Sequence, residues 1–129
     1  FAEGCRRVLL LDSDTPHLPP AYIQSGLMAL ERSDVVIGPC DDGGYYLVGM
    51  RRHTPALFRG IPWSTPAVTA RTIRRAGQLG LTVALLDRWF DVDTIADLVR
   101  LKRDLESGGD SGQFPCVHTR TALLDLDLP

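Results

Sequence analysis

The sequence contains few of the residues that define several large protein classes. Its 129 residues include three cysteines, at positions 5, 40 and 116, which form no metal-binding signature and cannot all pair with one another. We therefore expect reduced thiols and a cytoplasmic location. No apolar run approaches the ~20 residues that span a bilayer, and no signal peptide is recognisable, so no membrane association is expected.

The basic residues are not clustered as they are in proteins that bind nucleic acids. The chain has 14 basic and 16 acidic residues, a net charge of −2, and Lys102 is its only lysine. The arginines are scattered rather than clustered, which argues against a nucleic-acid partner. A content of 44% hydrophobic and 23% charged residues is typical of one globular domain with a real core. The chain begins with Phe1 rather than Met, and residues 1–6 resemble the end of a helix, so we expect that further sequence precedes it.

Short apolar runs alternate with helical patterns along the chain. We predict strands at residues 8–11, 35–37, 45–48 and 83–86. We predict one helix that begins at Pro19-Pro20 and further helices at residues 55–58, 67–79, 94–105 and 117–126. A polar, Gly-rich linker is predicted at residues 107–112. This order predicts one α/β domain with a largely parallel sheet and a first strand that is buried on both faces. Residues 45–48 follow the second strand too closely for a helical crossover and should run antiparallel.

The first acidic pair follows the first predicted strand directly. Asp12 and Asp14 lie on the same side of an extended chain, in the crevice where open α/β sheets bind ligands. Carboxylates in that place suit a hard divalent cation that shares its coordination with phosphates. We expect Asp14 to be nearer the ligand, and Ser13 and Thr15 to hydrogen-bond a phosphate or ribose. The alternative is that Asp14 only begins a turn before Pro16.

A second acidic pair precedes the helix predicted at residues 94–105. Asp93 is placed to complete a metal site begun by Asp14, and Asp91 is assigned to substrate binding. The alternative is that Asp93 only caps the helix, although Thr94 can also serve as the cap. His17, His53 and His118 have no zinc-like spacing, and we expect them to be surface or structural residues.

The segment 38–46 combines glycines, acids and tyrosines. Gly43 and Gly44 let backbone amides approach a ligand closely, and Asp42 is the best candidate for a general base that contacts a hydroxyl-rich acceptor. Tyr45 and Tyr46 would line the acceptor pocket. The alternative is a tight Asp-Gly hairpin, which this segment alone favours. Cys40 lies near these acids, and a small buried side chain is the favoured interpretation over a reactive thiol.

A third element, residues 63–66, precedes the helix predicted at residues 67–79. Trp63 is placed to stack on a ring, and Ser64 or Thr65 to cap a helix that faces an anion. The alternative is an ordinary N-cap with an aromatic staple, which is favoured for this segment alone.

These motifs, in this order, resemble the glycosyltransferase-A-like family of rSAM/selenodomain-associated transferases. The matching stretches are residues 8–19, 38–49, 63–66 and 91–98, and the most specific of them is the "GP…DGGYYL…G" pattern in 38–49. The resemblance implies a Rossmann-like nucleotide-diphospho-sugar transferase fold, a divalent Mg or Mn ion and a nucleotide or nucleotide-sugar donor. It assigns Asp14 and Asp93 to the metal or nucleotide and residues 42–45 to a small-molecule acceptor.

The chain departs from that family in two respects. The family usually has Gly where Asp12 stands, so Asp12 is either an added metal ligand or a structural residue. Family members usually begin with a strand, a Gly-rich loop and a Lys-Thr-Arg stretch that hold the nucleotide, and this sequence has none of them. The resemblance therefore implies the C-terminal part of a longer protein.

Three functions follow from these expectations. The leading one is a metal-dependent glycosyl- or nucleotidyltransferase that uses a nucleotide-bearing donor. The second is a non-catalytic remnant that acts as a binding or assembly module, since an incomplete sheet has an exposed edge that promotes pairing or homodimer formation. The third is a phosphate-ester hydrolase that uses the same acids and needs no acceptor.

Overall fold

The computed structural model describes residues 1–107, 116–124 and 126 of the chain. Strands and helices alternate in the order β1 (Val8–Leu11), α1 (Pro20–Ala29), β2 (Val35–Pro39), β3 (Tyr45–Met50), a 3₁₀ helix (Pro55–Phe58), α2 (Val68–Gln78), β4 (Val83–Leu85), α3 (Ile95–Glu106) and α4 (Val117–Leu124). The α/β class predicted from the alternation is confirmed. Of the predicted linker at 107–112, residues 108–112 lie outside the described residues.

The strands form one mixed sheet in the order β1-β3-β2-β4. β3 pairs antiparallel with both β1 and β2, and β2 pairs parallel with β4. The antiparallel direction predicted for residues 45–48 is confirmed. β1, β2 and β4 run in one direction, as a largely parallel sheet requires, but β3 separates β1 from β2. Among the described strands, therefore, only β2 and β4 are parallel neighbours.

The two central strands are buried because helices cover both faces of the sheet. Val36 and Leu47 pack with Leu30 in the cluster that contacts α1. Val35 and Ile37, which alternate with Val36 along β2, pack on the opposite face against the 3₁₀ helix and α2. Full burial of a large apolar side chain contributes about 1.5–3 kcal/mol, so these two faces provide much of the folding free energy.

β1 differs from the strand that its sequence predicts. Leu10 is 53% exposed and Leu11 is 45% exposed. The expectation that residues 8–11 are buried on both faces is wrong for the part of the chain that is described, because β1 is an edge strand there and pairs with β3 alone. Residues 1–6 are likewise not helical, since they form a turn in which the Gly4 N–H donates to the Phe1 carbonyl.

A third hydrophobic cluster joins the last helices to the segment after β4. Leu101 and Leu105 of α3 pack with Phe90 and with Leu123 of α4. Helix α3 begins with a capping box, in which Thr94 and Asp97 each satisfy a backbone N–H of the other. Thr94 is thus the N-cap, and the alternative role of Asp93 as the cap is wrong.

Each helix in the described part of the chain is too short or too polar to cross a membrane.

Candidate functional site

Three loops meet at the carboxyl edge of the sheet. They are residues 12–16 after β1, residues 40–44 between β2 and β3, and residues 86–94 after β4. Backbone hydrogen bonds fasten them together: the Val92 N–H donates to the Asp14 carbonyl at 2.9 Å, and the Asp41 N–H donates to the Trp89 carbonyl at 3.1 Å. Because β1, β2 and β4 share one direction, their following loops come to the same edge, as the sequence predicts.

Two carboxylates and one thiol come together where these loops meet. Ligand atoms of Cys40, Asp42 and Asp91 all lie within 4.8 Å of one another. Cys40 is buried, Asp91 is half-buried and Asp42 is exposed, so the cluster opens toward solvent on the Asp42 side. The Cys40 thiol therefore lies beside the Asp91 carboxylate at the buried end of the cluster.

The electrostatics of this edge are strongly negative. Burial raises the pKa of Asp91, and the neighbouring charges of Asp42 and Asp93 raise it further. Burial also raises the pKa of Asp12, with an added contribution from Asp14. The same burial, together with the surrounding carboxylates, raises the pKa of the Cys40 thiol and keeps it protonated. A bound cation would favour the charged form of these buried carboxylates and relieve the repulsion between them.

The turn that holds Asp42 is a tight hairpin connection, as the Asp-Gly alternative predicts. Gly43 has a φ of +97°, and a Cβ atom there would overlap the backbone of Pro66. The Gly44 N–H donates to Asp42 Oδ1 at 2.8 Å, and Thr69 of α2 contacts the carbonyls of both glycines. The hairpin therefore fixes the Asp42 carboxylate rather than leaving it mobile.

The loop after β1 uses its hydroxyl groups internally. Thr15 Oγ1 donates to Asp12 Oδ1 at 2.6 Å, and Thr15 is buried. Ser13 Oγ donates to Asp14 Oδ1 at 3.0 Å. Both hydroxyls were expected to hydrogen-bond a ligand, and in this structure both instead hold the carboxylates in place. Asp14 itself is exposed.

An apolar groove of about 360 Å³ lies beside Asp12. Aromatic and aliphatic side chains line it: Leu10, Leu11, Tyr45, Tyr46, Val48, Phe58 and Trp63. Trp63 is 52% exposed and meets the edge of Tyr45 at a ring-centroid distance of 6.3 Å. Tyr46 is fully buried, and its hydroxyl donates to the Asp87 carbonyl at 2.9 Å. Trp63 is therefore the groove's accessible ring, whereas Tyr46 is structural.

Ser64 and Thr65 do not cap α2. Ala67 is the N-cap residue, and it makes no side-chain cap hydrogen bond. Thr65 Oγ1 donates to the Pro62 carbonyl and accepts from the Ala67 N–H, while Ser64 lies in the left-handed region at φ +59°. The prediction of a Ser64 or Thr65 cap is wrong because these residues form the turn that leads into the helix.

Cys40 and His17 are the residues that sequence reasoning undervalued. Cys40 stands two positions before Asp42 at a strand end, and this spacing is the signal that could have grouped the two side chains. His17 is 2% exposed and packs between Trp89 and Phe90, with ring-centroid distances of 5.2 and 4.3 Å. His17 is therefore a structural residue rather than a surface one, and it supports the loop that carries Asp91.

Comparison with known proteins is consistent with this architecture. Residues 1–65, half of the chain, match the family described as uncharacterized proteins conserved in bacteria, DUF2064, and the chain belongs to that family. Comparison with curated proteins finds no significant match.

A solved structure gives a second comparison. The chain is similar to the crystal structure of a "putative nucleotide-diphospho-sugar transferase" from Desulfovibrio desulfuricans G20, with a TM-score of 0.80 and 38% sequence identity. The match covers 96% of this chain and 52% of that one. The chain thus spans about half the length of this solved relative.

Proposed function

We propose that this protein is a metal-dependent glycosyl- or nucleotidyltransferase that uses a nucleotide-bearing donor and a small-molecule acceptor. The observation that carries the proposal is the meeting of acidic side chains from separate loops beside an aromatic groove, at the carboxyl edge of the sheet. The similarity to a structure described as a nucleotide-diphospho-sugar transferase supports the choice of donor. The sequence motifs support membership of the rSAM/selenodomain-associated type.

The residues at this edge fit a hard divalent cation such as Mg²⁺ or Mn²⁺. Such ions prefer oxygen ligands, and the Asp42 and Asp91 carboxylates are close enough to share one ion. Asp14 and Asp93, which belong to the adjoined loops, are the further candidates, and Asp12, whose Oδ1 accepts the Thr15 hydroxyl, is the last of the set. Cys40 is a positioning residue in this scheme, because its protonated thiol packs beside Asp91 and is a poor ligand for hard cations.

When bound, the cation would neutralise negative charge on the donor phosphates and on the leaving group. The chain's own residues would bind and orient the reactants. Trp63 lines the groove and offers an exposed ring on which a base or sugar can stack. The hairpin glycines, Gly43 and Gly44, would bring the acceptor close to Asp42, since Gly44 has no side chain to exclude it.

Asp42 is compatible with either of two roles. As a cation ligand, it would act together with Asp91; as a general base, it would accept the proton of an acceptor hydroxyl. The Gly44 N–H occupies Oδ1 and leaves Oδ2 for either purpose. Asp42→Asn separates the roles, because loss of a base lowers the transfer rate without weakening Mn²⁺ binding, whereas loss of a ligand weakens both.

The decisive experiment measures by calorimetry the binding of nucleotide-diphospho-sugars to the purified protein, once with Mn²⁺ and once with EDTA. We expect donor binding only with Mn²⁺, and at least tenfold weaker Mn²⁺ binding in Asp91→Asn. Asp41→Asn is the matched control, because Asp41 is on the same turn but pairs with Arg100 at 3.2 Å, outside the cluster. Donor binding that is equal in EDTA and in Asp91→Asn would refute the proposal.

Incubation of the same protein and donors with and without candidate acceptors separates the alternative functions. Donor binding without transfer to any acceptor supports the non-catalytic binding module, and phosphate release without an acceptor supports the hydrolase. We further propose that the chain is a single domain that forms the C-terminal part of a glycosyltransferase-A-like fold. A native protein with a mass well above 14.2 kDa is then expected. The exposed edge of β1 is the surface through which this chain, by itself, would form a homodimer.

A further inference from the structure

A second concave site lies away from the acidic edge and has the opposite charge. An open pocket of about 280 Å³ lies between the end of the 3₁₀ helix and α2. Its lining includes four arginines and no acidic residue: Arg59, Gly60, Ile61, Arg71, Arg74, Arg75 and Gln78. This pocket is therefore positively charged, although the net charge of the chain is −2. We refer to these seven residues as the arginine pocket.

One arginine builds the pocket and three are available to a ligand. Arg75 Nε donates to the Ala56 carbonyl at 3.0 Å, and another nitrogen of its guanidinium donates to Gln78 at 3.3 Å, so Arg75 joins α2 to the 3₁₀ helix. The side chains of Arg59, Arg71 and Arg74 are exposed. Within the described ranges, the guanidinium groups of these three make no ion pair or hydrogen bond.

Helix stability does not account for this arrangement. A cation in the last turn of a helix interacts favourably with the helix dipole, and this effect accounts for the position of Arg75 alone. Arg71 lies nearer the N-terminus, and it is three and four positions before Arg74 and Arg75, where like charges repel across successive turns. Helix α2 contains no acid to offset them. An anion bound between these side chains would remove the repulsion.

We propose that the arginine pocket binds a phosphoryl anion, either as free phosphate or pyrophosphate or as the phosphate group of a larger ligand. Planar guanidinium groups donate paired hydrogen bonds that match phosphate oxygens, and several of them around one concave site neutralise a multiply charged group. The pocket is independent of the acidic cluster, and its occupation requires no metal. A surface for RNA or anionic lipid is the competing use of the same charge.

The test is calorimetric titration with inorganic pyrophosphate in EDTA, which removes any metal from the acidic edge. We expect saturable binding to the unaltered protein and at least tenfold weaker binding to the Arg71→Gln, Arg74→Gln double variant. Arg32→Gln is the matched control, because Arg32 is an exposed arginine outside the pocket and its loss changes net charge in the same way. Asp42→Asn should bind pyrophosphate like the unaltered protein, which separates this site from the proposed donor site.

Further arms identify the source of the phosphoryl group and check folding. Equal affinity for pyrophosphate and nucleoside diphosphates indicates that the phosphates alone are recognised, and tighter binding of the nucleotides indicates a larger ligand. The double variant should retain the circular dichroism spectrum and unfolding midpoint of the unaltered protein. Arg74→Lys should lose affinity for pyrophosphate, because lysine keeps the positive charge but lacks the paired N–H donors of a guanidinium group. The proposal would be overturned if the protein did not bind pyrophosphate, or if the double variant bound it with undiminished affinity. Binding only to single-stranded RNA or to anionic vesicles would also overturn it.

Discussion

Val92 donates its backbone N–H to the carbonyl oxygen of Asp14 at 2.9 Å, and this bond joins the two acidic segments of the sequence. One segment follows β1 and the other follows β4, the two outer strands of the sheet. The loops that follow the two outer strands therefore meet at the carboxyl edge. It shows that acidic residues far apart in the chain share one surface, which is the basis of the proposed cation site.

The turn at Gly43 should tolerate no side chain. Gly43→Ala places a Cβ atom against the Pro66 backbone at a φ of +97°, so we expect a loss of about 1–3 kcal/mol or more in the free energy of unfolding, measured in urea. Gly77→Ala is the control, because Gly77 lies in α2 with open space around it. That change should be neutral or stabilising by up to about 1 kcal/mol. Equal effects at the two positions would contradict this account of the turn.

The Tyr46 hydroxyl should stabilise the fold rather than contact a ligand. Tyr46→Phe removes its hydrogen bond to the Asp87 carbonyl, and we expect a loss of about 1–2 kcal/mol, measured by chemical unfolding. Tyr22→Phe is a suitable control, because Tyr22 meets the Tyr46 ring at 5.8 Å but is only half-buried. A decrease in donor binding without a decrease in stability would instead assign Tyr46 to the site.

Much of the fold follows from local patterns in the sequence. Short apolar runs gave the strands, the Asp-Gly pair gave the hairpin at residues 42–43, and Thr94 with Asp97 gave the start of α3. These features depend on neighbours along the chain, where spacing and capping chemistry act directly. The apolar pattern of residues 8–11 alone could not reveal the exposure of β1, because an apolar strand has the same composition at an edge as at the centre.

The candidate site was predictable only in outline. Its position followed from the rule that ligands bind at the carboxyl ends of strands, and the acids were visible as pairs. The contact between Cys40 and Asp91 depends on β4 lying beside β2, and no local pattern contains that pairing. The internal use of the Thr15 hydroxyl was also hidden, because a hydroxyl near a carboxylate can bond either it or a ligand.

The cysteines should differ sharply in their reaction with a thiol reagent. Cys5 is exposed, whereas Cys40 and Cys116 are buried, and burial raises the pKa of the Cys40 thiol. Since the thiolate is the reactive form, we expect one fast equivalent with Ellman's reagent and two that appear only on unfolding. Cys5→Ser should abolish the fast phase. A fast phase that persists in this variant would mean that a buried thiol is accessible.

His17 should make the stability of the protein depend on pH. Burial lowers the pKa of His17 from 6.5 to about 4, so between these pH values the unfolded chain binds a proton that the folded protein does not. Stability must therefore fall as the pH decreases from 6.5 to 4, by roughly 3 kcal/mol in total, and change little from this source above 6.5. Urea unfolding at half-unit pH intervals measures this dependence.

The His17 contribution can be isolated with a variant, because carboxylates titrate in the same range. His17→Phe keeps a ring against Trp89 and Phe90, removes the proton-binding group and should flatten the slope between pH 4 and 6.5 relative to the unaltered protein. His53→Gln is the control, because His53 is exposed and its ring meets Phe1 at the surface, at a centroid distance of 6.1 Å. The comparison rests on slopes, so a constant packing difference in His17→Phe does not affect it. Parallel pH profiles for all three proteins would show that His17 is not the buried neutral group described above.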